Sequence, residues 1–292
     1  MLRTNKEKLP VIGVLSYISE VTIPDGGEAE VGNFGLCHAI PGMSGICYNF
    51  RIGDCCMGLC GEHIEPGVSS RNIKINPNRN RGTNALSCVG NRVKVQSGDA
   101  KGRWGYVCGT HGGAEHVFLD FDSETLDLLA YDDSFIIKSV GYGLKLLDWP
   151  DIMPVAIDPE LLEKMDIEEK EDRIIVPVAK KIPACLIGSG VGRREPGYTG
   201  DVDIMTTDDR LNKEYGLNDL RFGDIVLIED FDSSYGRGYR KGASTLGVVV
   251  HGATYTNGHG PGVSTLMTTK LPIMEGKIDE KANLAYYFGI KE

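Results

Sequence analysis

VKVQSGDAKGRWGYVCGTHGGAEHVFLDF, from Val93 to Phe121, is the stretch on which the fold turns. Its two ends alternate apolar and polar residues with the two-residue period of half-buried strands, and its middle is punctuated by glycine. Three strands follow from that pattern: NRVKVQ, WGYVCG and HVFLDF, joined by SGDAKGR and by a loop carrying HGGAEH. Gly98 and Gly102 supply the first bend, and Gly105 permits one strand to cross closely over another. SFIIKSVGYG adds a further strand, so the segment 85–143 reads as a small barrel unit.

Working outward, PVIGVLSYISEVTI (10–23) reads as one or two strands, and 24–70 as glycine-rich short pieces. NIKINPNRNRGTN carries turn residues without apolar spacing and is expected to be a surface loop. PELLEKMDIEEKE (159–171) is the strongest helix signal, with Pro159 at its start and Leu161, Leu162 and Met165 on one face. A second short helix is expected from Asp208 to Tyr215, followed by strands in RFGDIVLIEDFD, STLGVVVHGATY and VSTLMTTK. The expectation is a mainly β (α+β) protein: an N-terminal β-rich domain over 1–150 and a C-terminal α+β domain over 151–292. A loose echo between residues 93–113 and 226–252, each running strand, turn, Lys-Gly, strand, His-Gly, raises the idea of a duplicated barrel.

The whole-chain balance limits function. A net charge of −10 argues against general binding to nucleic acid or anionic membranes, which depends on neutralising phosphates. RRE (193–195) and RGYRKG (237–242) are the candidate local basic patches. No apolar run approaches the ~20 residues of a membrane span, and MLRTNKEKLP lacks the apolar core of a signal peptide. The expected location is the cytoplasm, with the eight cysteines kept reduced.

Five groups of residues carry chemistry. HGGAEH brings together His111, Glu115 and His116, proton carriers and metal ligands on a loop, at a spacing foreign to the helical zinc-protease motifs. VVVHGATYTNGHGPGV contributes His251 at a strand end and His259 among glycines. GDVDIMTTDD sets Asp201 and Asp203 two apart, on one face of a strand, a pairing that suits a divalent cation or acid–base work. CCMGLCGEH offers Cys56-x₃-Cys60-x₂-His63, beside Cys55 and Glu62, a run similar to an iron–sulfur ligand pattern but without a visible fourth ligand. GSGVGRREPG runs into arginines and proline rather than a helix, so it is no dinucleotide loop.

Two resemblances come with these residues. V-x-V-x-S-G-x-x-K-G-x-x-G-x-V (Val93–Val107) resembles the KOW element of small SH3-like barrels. GEHIEPGVS, the block from Leu86 to Phe121, IPACLIGSGVG, GDVDIMTTDD and YGRGYRKGASTLGVVVHG with GHGPGV together resemble the prokaryotic domain-of-unknown-function family 4438, over about residues 1–275. That resemblance implies a mainly β, two-part protein and brings no activity with it. The blocks that carry it contain His63, His111, His116, His251 and His259 but not the cysteines at 55, 56 and 60.

Two functions remain open at this level. The preferred one is a small-molecule enzyme of hydrolase or lyase type, or a ligand-binding protein. His111, Glu115, His116, His63, His251 and His259 would be its reactive groups, with a divalent metal as candidate cofactor. Glu62, Asp201, Asp203, Arg240 and Lys241 would help to hold the ligand. The alternative is a KOW-like nucleic-acid or ribosome-associated module, which requires a basic face with exposed aromatics. Whether the chain forms homo-oligomers is left open.

Overall fold

The computed structural model describes residues 2–21, 30–31, 35, 37–38, 44–72, 77–192 and 200–291. Six antiparallel strands close a barrel: β1 (Ile12–Ile18), β2 (Gly67–Arg71), β3 (Arg92–Val95), β4 (Trp104–His111), β5 (His116–Asp120) and β6 (Ser134–Ser139). Around the barrel the order is β1-β6-β3-β4-β5-β2, and the pairs Tyr17↔Arg71 and Ile18↔Ser70 return β2 to β1. Segment 85–143 thus supplies four of the six strands, and the chain on either side of the 24–66 region supplies the two that close the ring. Inward-pointing Val14, Val68, Val93, Val95, Val107, Val117, Leu119, Phe121, Phe135 and Ile137 fill the interior.

Glycine has two distinct duties in this barrel. Gly98 turns between β3 and β4 at φ +65°, a backbone region that favours glycine. Gly105 instead makes room, because a Cβ there would lie 2.2 Å from the Asp120 carbonyl and 2.7 Å from the Phe121 ring. Gly105→Ala is therefore expected to cost about 1–3 kcal/mol through overpacking, read as a lower urea midpoint with an unchanged slope. A wild-type midpoint would remove close crossing as the reason for this glycine.

A second sheet packs against the barrel. Its strands are β7 (Ile152–Pro154), β8 (Lys180–Pro183), β9 (Asp201–Asp203), β10 (Ile225–Asp232), β11 (Gly238–His251) and β12 (Gly262–Thr269). The order is β7-β12-β11-β10-β8, with β9 also on β12 and only β8/β10 parallel. Strands 168–169, 174–178 and 274–278 form a small third sheet. Cys108 and Phe118 of the barrel share a core with Leu246, Val248, Val250 and Leu266 of the second sheet. Thr110 Oγ1 lies 3.2 Å from Ser264 Oγ, and a Cβ at Gly109 would collide with Val250. The site end of β4 is therefore sealed against β11 and β12.

Three expectations change. The echo between the two halves holds for the hairpins β3–β4 and β10–β11, but among the described residues the second sheet is an open path, not a second barrel. Helix α1 (Pro77–Leu86) begins inside the expected loop NIKINPNRNRGTN and runs past its end; its buried residues Asn80, Thr83 and Asn84 are polar, so no apolar period announces it. The 159–171 helix stops at Lys164; Glu168–Glu169 instead pairs with Ile174–Ile175. Asp158 caps its start by accepting from the Glu160 amide. The short helix at Asp209–Glu214 is where the sequence places it. No helix among the described residues is long and apolar enough to cross a membrane.

Candidate metal centre

Five segments distant in sequence meet where the barrel rim faces the second sheet. The β4–β5 hairpin brings His111 and His116, the segment before β2 brings His63 and Glu65, and β9 brings Asp201 and Asp203. His251 ends β11, and His259 lies in its connection to β12. Register does the gathering: Asp203 and His251 both stand opposite Gly262 on β12, and Asp201 opposite Ser264. Because Asp201 and Asp203 are two apart on one strand, they share a face.

The side chains sort into two trios, each with ligand atoms all within 4.8 Å of one another. The inner trio is His111, Asp201 and His251, all buried; the outer is His63, Asp203 and His259. Only His259 is appreciably open to solvent, at 34% of its side chain, so it marks the entrance.

Imidazole orientation in the inner trio is set by the nitrogens that do not face it. His111 Nδ1 lies 2.6 Å from Glu65 Oε1, an acceptor, so Nδ1 donates and Nε2 keeps its lone pair. His251 Nδ1 lies 3.1 Å from the Gly252 carbonyl and likewise donates, so Nε2 is the nitrogen turned to the carboxylates and, when the ring is neutral, the one that can ligate. That Nε2 faces Asp201 Oδ2 at 3.1 Å and Asp203 Oδ1 at 3.5 Å. His251 Nε2 and Asp201 Oδ2 are both buried and make no hydrogen bond. A buried imidazole nitrogen and a buried carboxylate oxygen pointed at each other call for a positive charge there, which a proton or a metal cation can supply.

The space for one is kept by Gly262. A Cβ at this position would lie 2.1 Å from His251 Nε2 and 2.6 Å from Asp201 Oδ2, so a side chain would fill the gap. The other oxygen of Asp201 accepts from the Gly112 amide at 2.9 Å, which fixes the carboxylate.

The two aspartates draw positive charge to His251 Nε2, whether a proton or a cation. Burial alone would lower the His251 pKa, but the two aspartates outweigh it and push it well above the usual value. Burial favours a neutral Asp203, yet His251 and His259 hold its carboxyl well below the ordinary range. His63 goes the other way, down to about 3, first through burial and then through repulsion from His251 and His111. It is thus a neutral, ligand-competent imidazole at physiological pH.

Behind the inner trio lies a polar relay. Glu65 receives His111 and also His116 Nδ1, at 3.1 and 3.0 Å, and a hydroxyl from Ser69. Burial would raise the Glu65 pKa, but these histidine bonds hold it far below normal. His116 Nε2 ends the relay at Ser19 Oγ, 3.0 Å away. Glu65→Gln is expected to weaken metal binding about 10–100-fold by releasing His111, read by competition with a chromophoric chelator. Unchanged affinity would deny Glu65 that orienting role.

The structure therefore joins His63, His111, His251, His259, Asp201 and Asp203 in one site, with His116 one residue removed from it. Glu115, at φ +58°, joins neither trio; its carbonyl accepts from Asn80 and Asn84 of α1. Glu62 is buried and caps the Tyr255 amide with both oxygens, holding the loop that leads to His259. Arg240 and Lys241 sit at the far end of β11 from His251, about 35 Å along the strand, with Arg240 facing Asp232. Cys55, Cys56 and Cys60 enter no ligand group among the described residues; Cys56 is core, and burial raises its thiol pKa. Gly188–Gly192 lies along β9, while Arg193 and Arg194 fall outside the described residues. Glu65 and Gly262 went unread as site residues, although GEHIEP places Glu65 two residues from His63.

A closed six-stranded barrel joined to an open sheet, with buried histidines and aspartates at the junction, is the class that fold and site define. The N-terminal and C-terminal parts of the family described as Domain of unknown function (DUF4438) match residues 30–163 and 164–288, and the chain belongs to that family. It is similar to the protein of "Crystal structure of TM1086", with 43% identity over 98% of this chain and 99% of that one and a TM-score of 0.90. The search of curated proteins found no match.

Proposed function

We propose that the chain is a metal-dependent enzyme that hydrolyses a small molecule at the junction of barrel and sheet. One observation carries the reading: His251 Nε2 and Asp201 Oδ2, buried and unbonded, face each other across a gap that only a glycine leaves open. Nitrogen and carboxylate donors suit zinc, manganese, iron or nickel. When bound, such an ion supplies a Lewis acid and an acidified water, and three protein ligands leave a position for that water. His111, Asp201 and His251 hold the ion; Glu65 fixes His111; Gly112 fixes Asp201; His259 stands at the substrate entrance.

A water on a three-ligand ion serves hydrolysis and hydro-lyase reactions alike, and hydrolysis is the one put to the test. The nucleic-acid alternative finds exposed Trp104 beside Arg92 and Lys94, but Tyr106 is stacked on Phe288 with ring centres 4.1 Å apart, and the chain carries a net charge of −10.

The test is elemental analysis of untagged protein purified without chelators, followed by a hydrolysis screen over esters, lactones, amides and phosphoesters. Expected are stoichiometric transition metal and a turnover that disappears with chelator and returns with the ion. Protein without metal affinity, or turnover indifferent to chelator, would end this reading.

A further inference from the structure

We infer that the centre is built for two divalent ions, the second held by His63, Asp203 and His259, with Asp203 shared between them. The inference rests on the metal reading above and extends it from one ion to two.

The six ligand groups do not gather about one point. At bond lengths of about 2.0–2.2 Å, two donors on one ion lie at most roughly 4.4 Å apart, and the donors separate into two trios of about that compass. Asp203 joins the trios, presenting Oδ1 to His251 Nε2 at 3.5 Å and Oδ2 to His259 Nδ1 at 3.0 Å. A carboxylate with one oxygen toward each group has the geometry of a bridge between ions roughly 3.5–4 Å apart.

The outer trio shows its own unmet demand. His63 Nε2 and His259 Nδ1 face each other at 3.2 Å, and that same Nδ1 faces Asp203 Oδ2. If His63 donates to His259 Nδ1, that nitrogen and the aspartate become opposed acceptors. An ion among the three groups removes that opposition by taking the lone pairs of His63 Nε2, His259 Nδ1 and Asp203 Oδ2 together, with the His63 proton on Nδ1.

The two positions differ in access. Every inner ligand is buried, whereas the outer trio includes half-buried His259. The outer ion therefore exchanges faster and dissociates first on dilution into chelator.

The experiment is a Mn²⁺ titration of metal-stripped full-length protein, followed by elemental analysis and electron paramagnetic resonance. Wild type is expected to bind two ions per chain, with a spin-coupled signal appearing only as the second enters. His259→Ala and, independently, His63→Gln are expected to bind one ion and show no coupled signal, with thermal unfolding checked for each. Wild type saturating at one ion per chain, or both folded variants retaining two, overturns the second site while leaving the single-ion reading intact. Wild type binding none overturns both.

Discussion

Gly262→Ala is expected to give a folded protein whose affinity for its metal falls on the order of a hundred-fold or more, beyond what a change behind the ligands costs. The added Cβ would come within 2.1 Å of His251 Nε2, 2.3 Å of His251 Cδ2 and 2.6 Å of Asp201 Oδ2. It occupies the space assigned to the ion without removing any ligand. Overpacking against the fully buried His251 costs about 1–3 kcal/mol, less than the stability of most domains. The readout is melting temperature with and without added ion. An ion at a hundred times its dissociation constant stabilises wild type by about 2.7 kcal/mol, and the variant should show almost none of that gain. A folded variant with wild-type affinity would move the ion away from the His251–Asp201 gap.

The same position shows why the site was only partly legible in the sequence. His63, His111, His251, His259, Asp201 and Asp203 stood out because few other side chains bind metals or move protons near neutral pH. Their division into trios depends on which residues oppose Gly262 across β9, β11 and β12, and strand register cannot be read from any one strand. Glu115 was a natural partner for His111 by proximity in sequence, but the tight hairpin uses its carbonyl, and the carboxylate that His111 finds is Glu65, on another segment.

The fold divides in a similar way. β3 and β6 were visible because one face is apolar and the other is not, β4 and β5 as short strand-forming runs between glycines, and β1 as alternating β-branched sequence. β2, with the sequence GVSSR, buries serines, and α1 buries asparagines and threonine. Buried amide and hydroxyl groups leave no hydrophobic period to detect. In the 159–171 segment, Leu161, Leu162 and Met165 made a helical face, but the helix ends at Lys164 and Glu168–Glu169 joins a sheet edge instead.

Arg51→Met should lower stability by about 3–5 kcal/mol, because it leaves a buried carboxylate without its partner. Arg51 makes a two-pronged bond to Asp120, Nε to Oδ1 at 3.2 Å and Nη2 to Oδ2 at 2.6 Å, and only 4% of the Asp120 side chain is exposed. This pair anchors to the barrel a strap that then bonds the second sheet's neighbours, through the Gly53 amide to the Phe222 carbonyl and the Cys56 amide to the Leu220 carbonyl. The strap continues to His63 and Glu65, so loosening it should weaken metal binding as well as folding. The deficit has a definite pH dependence. Burial already raises the Asp120 pKa above 3.8 in the presence of Arg51, and removing the guanidinium raises it further. A raised folded-state pKa favours the folded chain below that value, since folded Asp120 then holds a proton the unfolded chain has released. The stability gap between Arg51→Met and wild type is therefore widest near neutrality and narrows as pH falls through the variant's Asp120 pKa toward 3.8. Adding Asp120→Asn to Arg51→Met should recover part of the loss at neutral pH, because a neutral amide needs no counter-charge. A deficit that is the same at every pH, and unrelieved by Asp120→Asn, would assign the loss to the packing of the Arg51 stem rather than to its charge.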